Sequence, residues 1–450
     1  MNTAERPSRR SWLVLILFGL VGQIAWSVEN MYFNLFVFDE VSPNLDAITL
    51  MVQLSGVVAT LVTLVAGTLS DKTGNRRRFI SVGYLIWGVT VALFGFLSPE
   101  LVGKILGLEG SRAVAAALTA VIVGDCVMTL FGSTANDAAF NAWVTDNTRP
   151  AYRGRVEGVL AVLPLFAMLI VAGGFGILVS ALGYSTVFLI LGVTISASGA
   201  LGLFLIRDSD ELARHGSLRD LFFGFYPRVV RANLPLYVAF LIILGYGVAC
   251  QIFMPYLIIY MKTYLGFSVL EYSAVFAVAI IAGAAINIYL GALSDRKEKT
   301  TLLYIAAAIM SAGLIAMYFC RGMSHIATLL LFGVFGFVMI TGYIFVSALS
   351  GSIVRDFTPP ADTGKLQGVR MVFAVLIPMI LGPAIGNAIN RAAGIPLADA
   401  GADAMTTSYI PAPEIFLAAG LVILLVMALI PILKRAVVRS QNEVTAVDED

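Results

Sequence analysis

Asp146-Asn-Thr-Arg-Pro-Ala-Tyr-Arg-Gly-Arg-Val-Glu-Gly-Val159 returns 210 residues later as Asp356-Phe-Thr-Pro-Pro-Ala-Asp-Thr-Gly-Lys-Leu-Gln-Gly-Val369. A second phrase, Gly67-Thr-Leu-Ser-Asp71-Lys72, returns after 224 residues as Gly291-Ala-Leu-Ser-Asp295-Arg296. Both echoes lie between apolar runs at matching places, so the chain reads as two copies of one unit.

Composition names the solvent. With 59% hydrophobic and 13% charged residues, the chain is greasier than a soluble globule, whose apolar share is about 45–50%. Runs of ~20 apolar residues cross a ~30 Å hydrocarbon core as helix. Such runs lie near 12–38, 47–69, 79–97, 113–145, 156–181 and 185–206, and again near 234–264, 269–293, 301–320, 325–354, 366–392 and 413–433. The expected fold is therefore an all-α membrane protein of twelve helices in two pseudo-symmetric bundles, 1–206 and 234–436. Between them 207–233 reads as a cytoplasmic linker, and the acidic 437–450 as a disordered tail.

Short basic loops stay cytoplasmic. Arg6, Arg9, Arg10, Lys72, Arg76, Arg77, Arg78, Arg149, Arg153, Arg155, Arg296, Lys297, Lys299, Arg355, Lys365, Lys434, Arg435 and Arg439 share one side, against Lys104, Arg112, Lys262, Arg321 and Arg391 on the other. Both termini are then cytoplasmic, and the first run reads as a retained helix. Cys126, Cys250 and Cys320 are widely spaced within apolar runs, and His215 and His325 are the two histidines. That set predicts no disulfide framework, no metal site and no cofactor. A phosphate-cradling Gly-x-x-x-x-Gly-Lys-Ser/Thr is absent from the sequence. With no catalytic constellation or long polar domain either, the chain does not read as an enzyme or a nucleic-acid binder.

Carboxylates inside apolar runs carry the chemistry. An ionisable group near the bilayer centre costs ~2.5–3.5 kcal/mol even on insertion scales and marks a pathway. Glu29 in the first span, with Asp125 and Asp137 in the fourth, are the expected cation-coupling residues. At ~1.5 Å per residue Glu29 and Asp125 reach similar depth. In the first span Gln23, Ser27, Asn30 and Asn34 recur at helical spacing, with Glu29 about a third of a turn off that stripe. Asp125, Thr129, Gly132 and Asn136 form a stripe in the fourth span, and Asp137 falls on another face. Amide and hydroxyl stripes facing aromatic rings suit a polyhydroxylated ligand. Arg76 and Arg77 are expected to pair with Asp146 and Glu157 as a charge network.

Gly67-x-x-x-Asp71-Lys72-x-Gly74-x-Arg76-Arg77-Arg78 resembles the signature of the major facilitator superfamily, and six plus six spans match that family along nearly the whole chain. Ser70-Asp71-Lys72-Thr73-Gly74 and the Asn- and Asp-bearing fourth span are similar to the glycoside-pentoside-hexuronide and sucrose-type cation symporters. The resemblance implies a solute site between the bundles, lined by spans one, four, seven and ten. The expected substrate contacts are Gln23, Asn30, Asn34, Asn136, Gln251, Tyr256, Tyr343 and Ser347. It also implies that Asp71 latches against the start of span eleven. Asp295, Arg296 and Asp356 are the second-half counterparts of this gate. The expected activity is uptake of a sugar or glycoside with H⁺, rather than Na⁺, by alternating access, in a monomer of the inner membrane. The alternative is a proton-coupled efflux antiporter.

Overall fold

The computed structural model describes residues 8–148, 153–208, 223–294, 298–359, 363–397 and 408–438, and within those ranges the side chains of Asp71 and Glu157 are not described. The described chain is helical apart from one β-bridge, Pro396 to Tyr409. It divides into two compact units, Met1–Leu218 and Arg219–Asp450.

Twelve helices among the described residues are long and apolar enough to cross a membrane. In the first unit they are α1 Arg9–Val41, α2 Leu45–Ser70, α3 Arg76–Phe94, α4 Gly110–Asp146, α5 Val162–Leu182 and α6 Tyr184–Leu205. In the second they are α7 Leu234–Thr263, α8 Val269–Asn287, α9 Lys299–Tyr318, α10 His325–Phe357, α11 Gly368–Ala393 and α12 Glu414–Val438. Helices satisfy their own backbone groups, which a bilayer interior cannot do for them. Their outer faces are apolar, with Phe204, Leu425 and Ile326 among the most exposed side chains.

Local chemistry sets the helix ends. Ser8 caps α1 by accepting the Ser11 amide. Asn44 accepts the Asp46 and Ala47 amides at the start of α2, and Asn75 accepts the Arg78 amide at the start of α3. Between them Gly74 takes φ +62°, a left-handed geometry that a glycine adopts without strain, and closes the helix that contains α2. The loop before α4 holds an eight-residue helix, Pro99–Leu106, started by a Ser98 cap and a proline at its first turn. That short helix falls between the apolar runs. The helix entering α5 begins at Arg153, well before its apolar stretch.

Each unit ties its third helix to its sixth through a serine hydroxyl on a backbone carbonyl, with the serine on the sixth helix in the first unit and on the third in the second. Ser196 of α6 donates to the Leu85 carbonyl of α3 at 2.9 Å, and Ser311 of α9 donates to the Gly420 carbonyl of α12 at 2.9 Å. At the α3–α6 crossing Gly88 and Gly192 face each other so closely that a Cβ on either would overlap the other's carbonyl oxygen. Small residues permit this approach, as at membrane helix interfaces generally. Gly174, in a glycine-rich stretch of α5, has open space where a Cβ would project.

Five helical turns are widened into π geometry: Glu29–Phe33 and Val37–Val41 in α1, Ser133–Phe140 in α4, Val171–Phe175 in α5 and Val372–Leu376 in α11. Such bulges shift the phase of everything beyond them and recur at functional sites. Three of these five, among the described residues, contain acids of the first unit: Glu29, Asp39 with Glu40, and Asp137.

Candidate functional site: a buried acid cluster in the first unit

Glu29 opens the first π turn of α1. On a regular helix Asn30 and Asn34 share a face; here Asn34 is buried while Asn30 is exposed and returns its amide to the Trp26 carbonyl at 2.7 Å. Asn34 donates to the Asn30 carbonyl at 3.1 Å. Gln23 is half-buried. The side chain turned into the bundle with Asn34 is Glu29.

Glu29 meets two other helices. Its Oε1 accepts from Ser55 Oγ of α2 at 3.2 Å and from Thr129 Oγ1 of α4 at 3.1 Å, and the two hydroxyls lie 2.7 Å apart. Asp125 stands one turn before Thr129 on α4 and is buried with it. These are among the least accessible polar groups of the chain: Glu29 is 9% exposed, Ser55 3%, Asp125 2% and Thr129 1%. Glu29 Oε2 and Asp125 Oδ1 make no hydrogen bond. No Lys, Arg or His among the described residues forms an ion pair with either acid.

Taking an unpaired carboxylate out of water is costly, and no cation is paired with either acid among the described residues.

Asp137 lies further along α4, inside the π stretch, and forms a separate cluster. Ser133 donates to its Oδ2 at 3.1 Å and the Asn136 amide to its Oδ1 at 3.2 Å. Tyr84 Oη of α3 lies 2.8 Å from both Asn136 Oδ1 and the Phe18 carbonyl, so one hydroxyl proton serves α1 and α4 together. Gly22 of α1 makes room for this contact, since a Cβ there would overlap the Asn136 amide. Asp137 thus sits in a hydrogen-bonded set separate from that of Glu29.

In the second unit Tyr246 of α7 and Tyr343 of α10 lie 5.6 Å apart, centroid to centroid, and Tyr246 Oη donates to the Tyr343 carbonyl at 3.3 Å. Ser347 is exposed one turn on, and Gln251 is half-buried. Tyr256 is wholly buried and donates to the Pro383 carbonyl of α11 at 3.0 Å, a contact that ties α7 to α11.

Of the expected gate, Arg76 and Asp146 meet: Arg76 Nε donates to Asp146 Oδ2 at 3.0 Å and its Nη1 to the Ser70 hydroxyl. Arg77 goes elsewhere. Its guanidinium donates to the Leu203 carbonyl at the end of α6, and its amide donates to Asp208 Oδ1 at 2.9 Å. Asp356 pairs with Lys299 at 2.6 Å, and Lys299 also donates to Ser352 at 2.8 Å. Each unit therefore joins a basic residue at the start of its third helix to the aspartate ending its fourth. Asp295 and Arg296 lie outside the described residues, as do the side chains of Asp71 and Glu157.

Ser55 was not singled out in the sequence, where no signal separates it from the many hydroxyls that bond neighbouring helices. Thr129 was read only as a member of the fourth-span stripe, and Lys299 only as one of many cytoplasmic cations.

A twelve-helix body with acids buried among its first, second and fourth helices defines a multi-pass membrane protein built to handle ions or solutes. The Major Facilitator Superfamily profile matches residues 14–383. The chain belongs to that superfamily and is an integral membrane transporter. Solved structures with similar folds include a mutant form of the nucleoside transporter NupG, with TM-score 0.66, 12% identity, and 94% of this chain and 99% of that one covered. Another is a bacterial homologue of the human lysosomal transporter Spinster in an inward-facing, unoccupied conformation, with TM-score 0.67, 14% identity, and 96% and 98% covered. No curated protein matches the chain by sequence.

Proposed function

We propose that the protein is a proton-coupled secondary transporter of a sugar or glycoside, of the glycoside-pentoside-hexuronide or sucrose type, and that Glu29 and Asp125 carry the coupling proton. The observation supporting this reading is the buried pair of acids: two carboxyls, two hydroxyls hydrogen-bonded to Glu29 Oε1, and no cation paired to either acid among the described residues. Both acids sit within about one turn of the middle of their helices, where ionisable groups serve transport rather than folding. Protonation neutralises the site, and a neutral site moves through a low-dielectric surrounding at far lower cost than a charged one. Alternating access then links proton binding to solute movement.

The polar solute is suggested by the amides Asn34 and Asn136 of the first unit and, separately, by Tyr246, Tyr343 and Ser347 of the second. The basic bias of the loops supports cytoplasmic termini and the inner membrane of a cell. A monomer suffices, because each acid of the pair comes from the same chain. A thermal-shift screen of the detergent-solubilised protein against mono- and disaccharides, with nucleosides and lipophilic cations alongside, tests the solute class. Stabilisation by a saccharide is expected; stabilisation by lipophilic cations alone overturns the sugar assignment.

A further inference from the structure

The last turn of α6 is gripped by two arginines from neighbouring helices. Arg10, in the first turn of α1, donates from Nε to the Leu205 carbonyl at 2.7 Å and from Nη2 to the Phe204 carbonyl. Arg77, at the start of α3, donates from Nη2 to the Leu203 carbonyl. The last carbonyls of a helix have no partner within it and together carry about half a negative charge, so cations collect there. Half a charge does not neutralise two guanidiniums. Arg9 and Arg78, each next in sequence to a gripping arginine, are exposed and add two more positive charges. Among the described residues none of these four side chains forms an ion pair; Asp208 instead takes the Arg77 backbone amide. A guanidinium has five N–H donors, and the carbonyls take two from Arg10 and one from Arg77. The second unit treats the matching place differently: Lys434 of α12 pairs with Glu298, just before α9, at 2.7 Å.

Beside the arginines the surface turns apolar at once. Phe204, whose carbonyl Arg10 holds, is 75% exposed, the most of any large apolar side chain among the described residues, and Leu201, nearly one turn back on α6, is 50% exposed. Cations fixed by backbone next to bare apolar side chains match a molecule with a phosphate at one end and acyl chains at the other. A free phosphate makes no use of Phe204. We propose that this end of the first unit binds an anionic phospholipid, its phosphate on Arg10 and Arg77 and its chains against Phe204 and Leu201. The planar guanidinium fork suits phosphate oxygens, and basic residues where a helix leaves the bilayer attract anionic headgroups. Arg9 and Arg78 strengthen that attraction without holding a carbonyl. The site makes no use of Glu29 or Asp125, so it stands or falls apart from the coupling pair.

The test is native mass spectrometry of the purified full-length chain in detergent, titrated with phosphatidylglycerol, with phosphatidylcholine of the same chains, or with inorganic phosphate. Phosphatidylglycerol should bind at least ~10-fold more tightly than phosphatidylcholine, since each basic residue at an anionic surface is worth about fivefold. Arg10→Gln with Arg77→Gln should weaken its binding at least ~10-fold, whereas Lys434→Gln with Arg435→Gln, which removes two charges from the second unit, should leave it within about twofold. If the first variant does not give monodisperse protein, Arg9→Gln with Arg78→Gln, which leaves both carbonyl grips in place, should weaken binding at least ~5-fold. Equal affinity for the two lipids, undiminished affinity in the arginine variants, or equal weakening in the second-unit variant overturns the site. Inorganic phosphate bound as tightly as phosphatidylglycerol overturns the lipid as its occupant.

Discussion

Replacing Gly88 by alanine tests the packing that holds the first unit together. The added Cβ would overlap the Gly192 carbonyl together with the Ser196 amide and hydroxyl, so backbone must move rather than a flexible side-chain tip. Overpacking of this kind costs ~1–3 kcal/mol, and a backbone collision belongs at the upper end. Separating the helices also weakens the Ser196 to Leu85 bond, worth ~0.6 kcal/mol on average within membranes. The sum is about 3 kcal/mol. Gly174→Ala is the matched control: a Cβ there meets nothing within contact range, and exchanging a helical glycine for alanine favours the helix by ~0.5–1 kcal/mol. Thermal unfolding in one detergent, followed by loss of the monodisperse peak, compares the two. For a unit of this size ~3 kcal/mol corresponds to roughly 6–12 °C, so Gly88→Ala should fall by that order while Gly174→Ala holds or rises. Equal shifts would refute the claim that the α3–α6 crossing is a close backbone contact.

Two ion pairs occupy equivalent places but differ in exposure. Arg76 and Asp146 are 5% and 24% exposed at the side chain, against 34% and 47% for Lys299 and Asp356. Asp146→Ala should therefore cost ~2–3 kcal/mol, less than the full loss for a deeply buried partner, and Asp356→Ala under ~1 kcal/mol; the order of their thermal midpoints checks this. At the start of α9, Glu298 accepts from Lys434, Thr300 and Thr301, and these bonds hold its carboxyl down at about 2. A depressed acid stabilises the fold above the unfolded value of ~4.3 and loses that contribution as pH falls toward 2. Lys434→Ala should accordingly flatten the loss of stability between about pH 4.5 and 2.5, measured as the midpoint of thermal unfolding across that window.

The sequence reveals the fold readily, because span length and loop charge are set by the bilayer and survive any detail of packing. The echo of Asp146–Val159 in Asp356–Val369 identified the duplication for the same reason: those residues stand at corresponding helix ends. The site was only half legible. Glu29 and Asp125 stood out as costly groups in apolar runs, but helical phase put Asn30 on the stripe with Asn34, whereas in the structure Asn34 is buried and Asn30 exposed. Ser55 and Thr129 matter through what they touch across three helices, and that is set by tertiary structure. Arg77 shows the same limit, since its partner is a backbone carbonyl of α6 rather than an acid.

The account turns on whether Glu29 and Asp125 take up the ion that drives transport. Proteoliposomes containing wild type, Glu29→Gln or Asp125→Asn, loaded with a saccharide found by the thermal-shift screen, can be driven by an imposed pH gradient or by a Na⁺ gradient alone. Concentrative movement under the pH gradient in wild type, lost in both variants while solute exchange without a gradient persists, is the predicted result. Full pH-driven accumulation by either neutralised variant, or accumulation driven only by Na⁺, would contradict it.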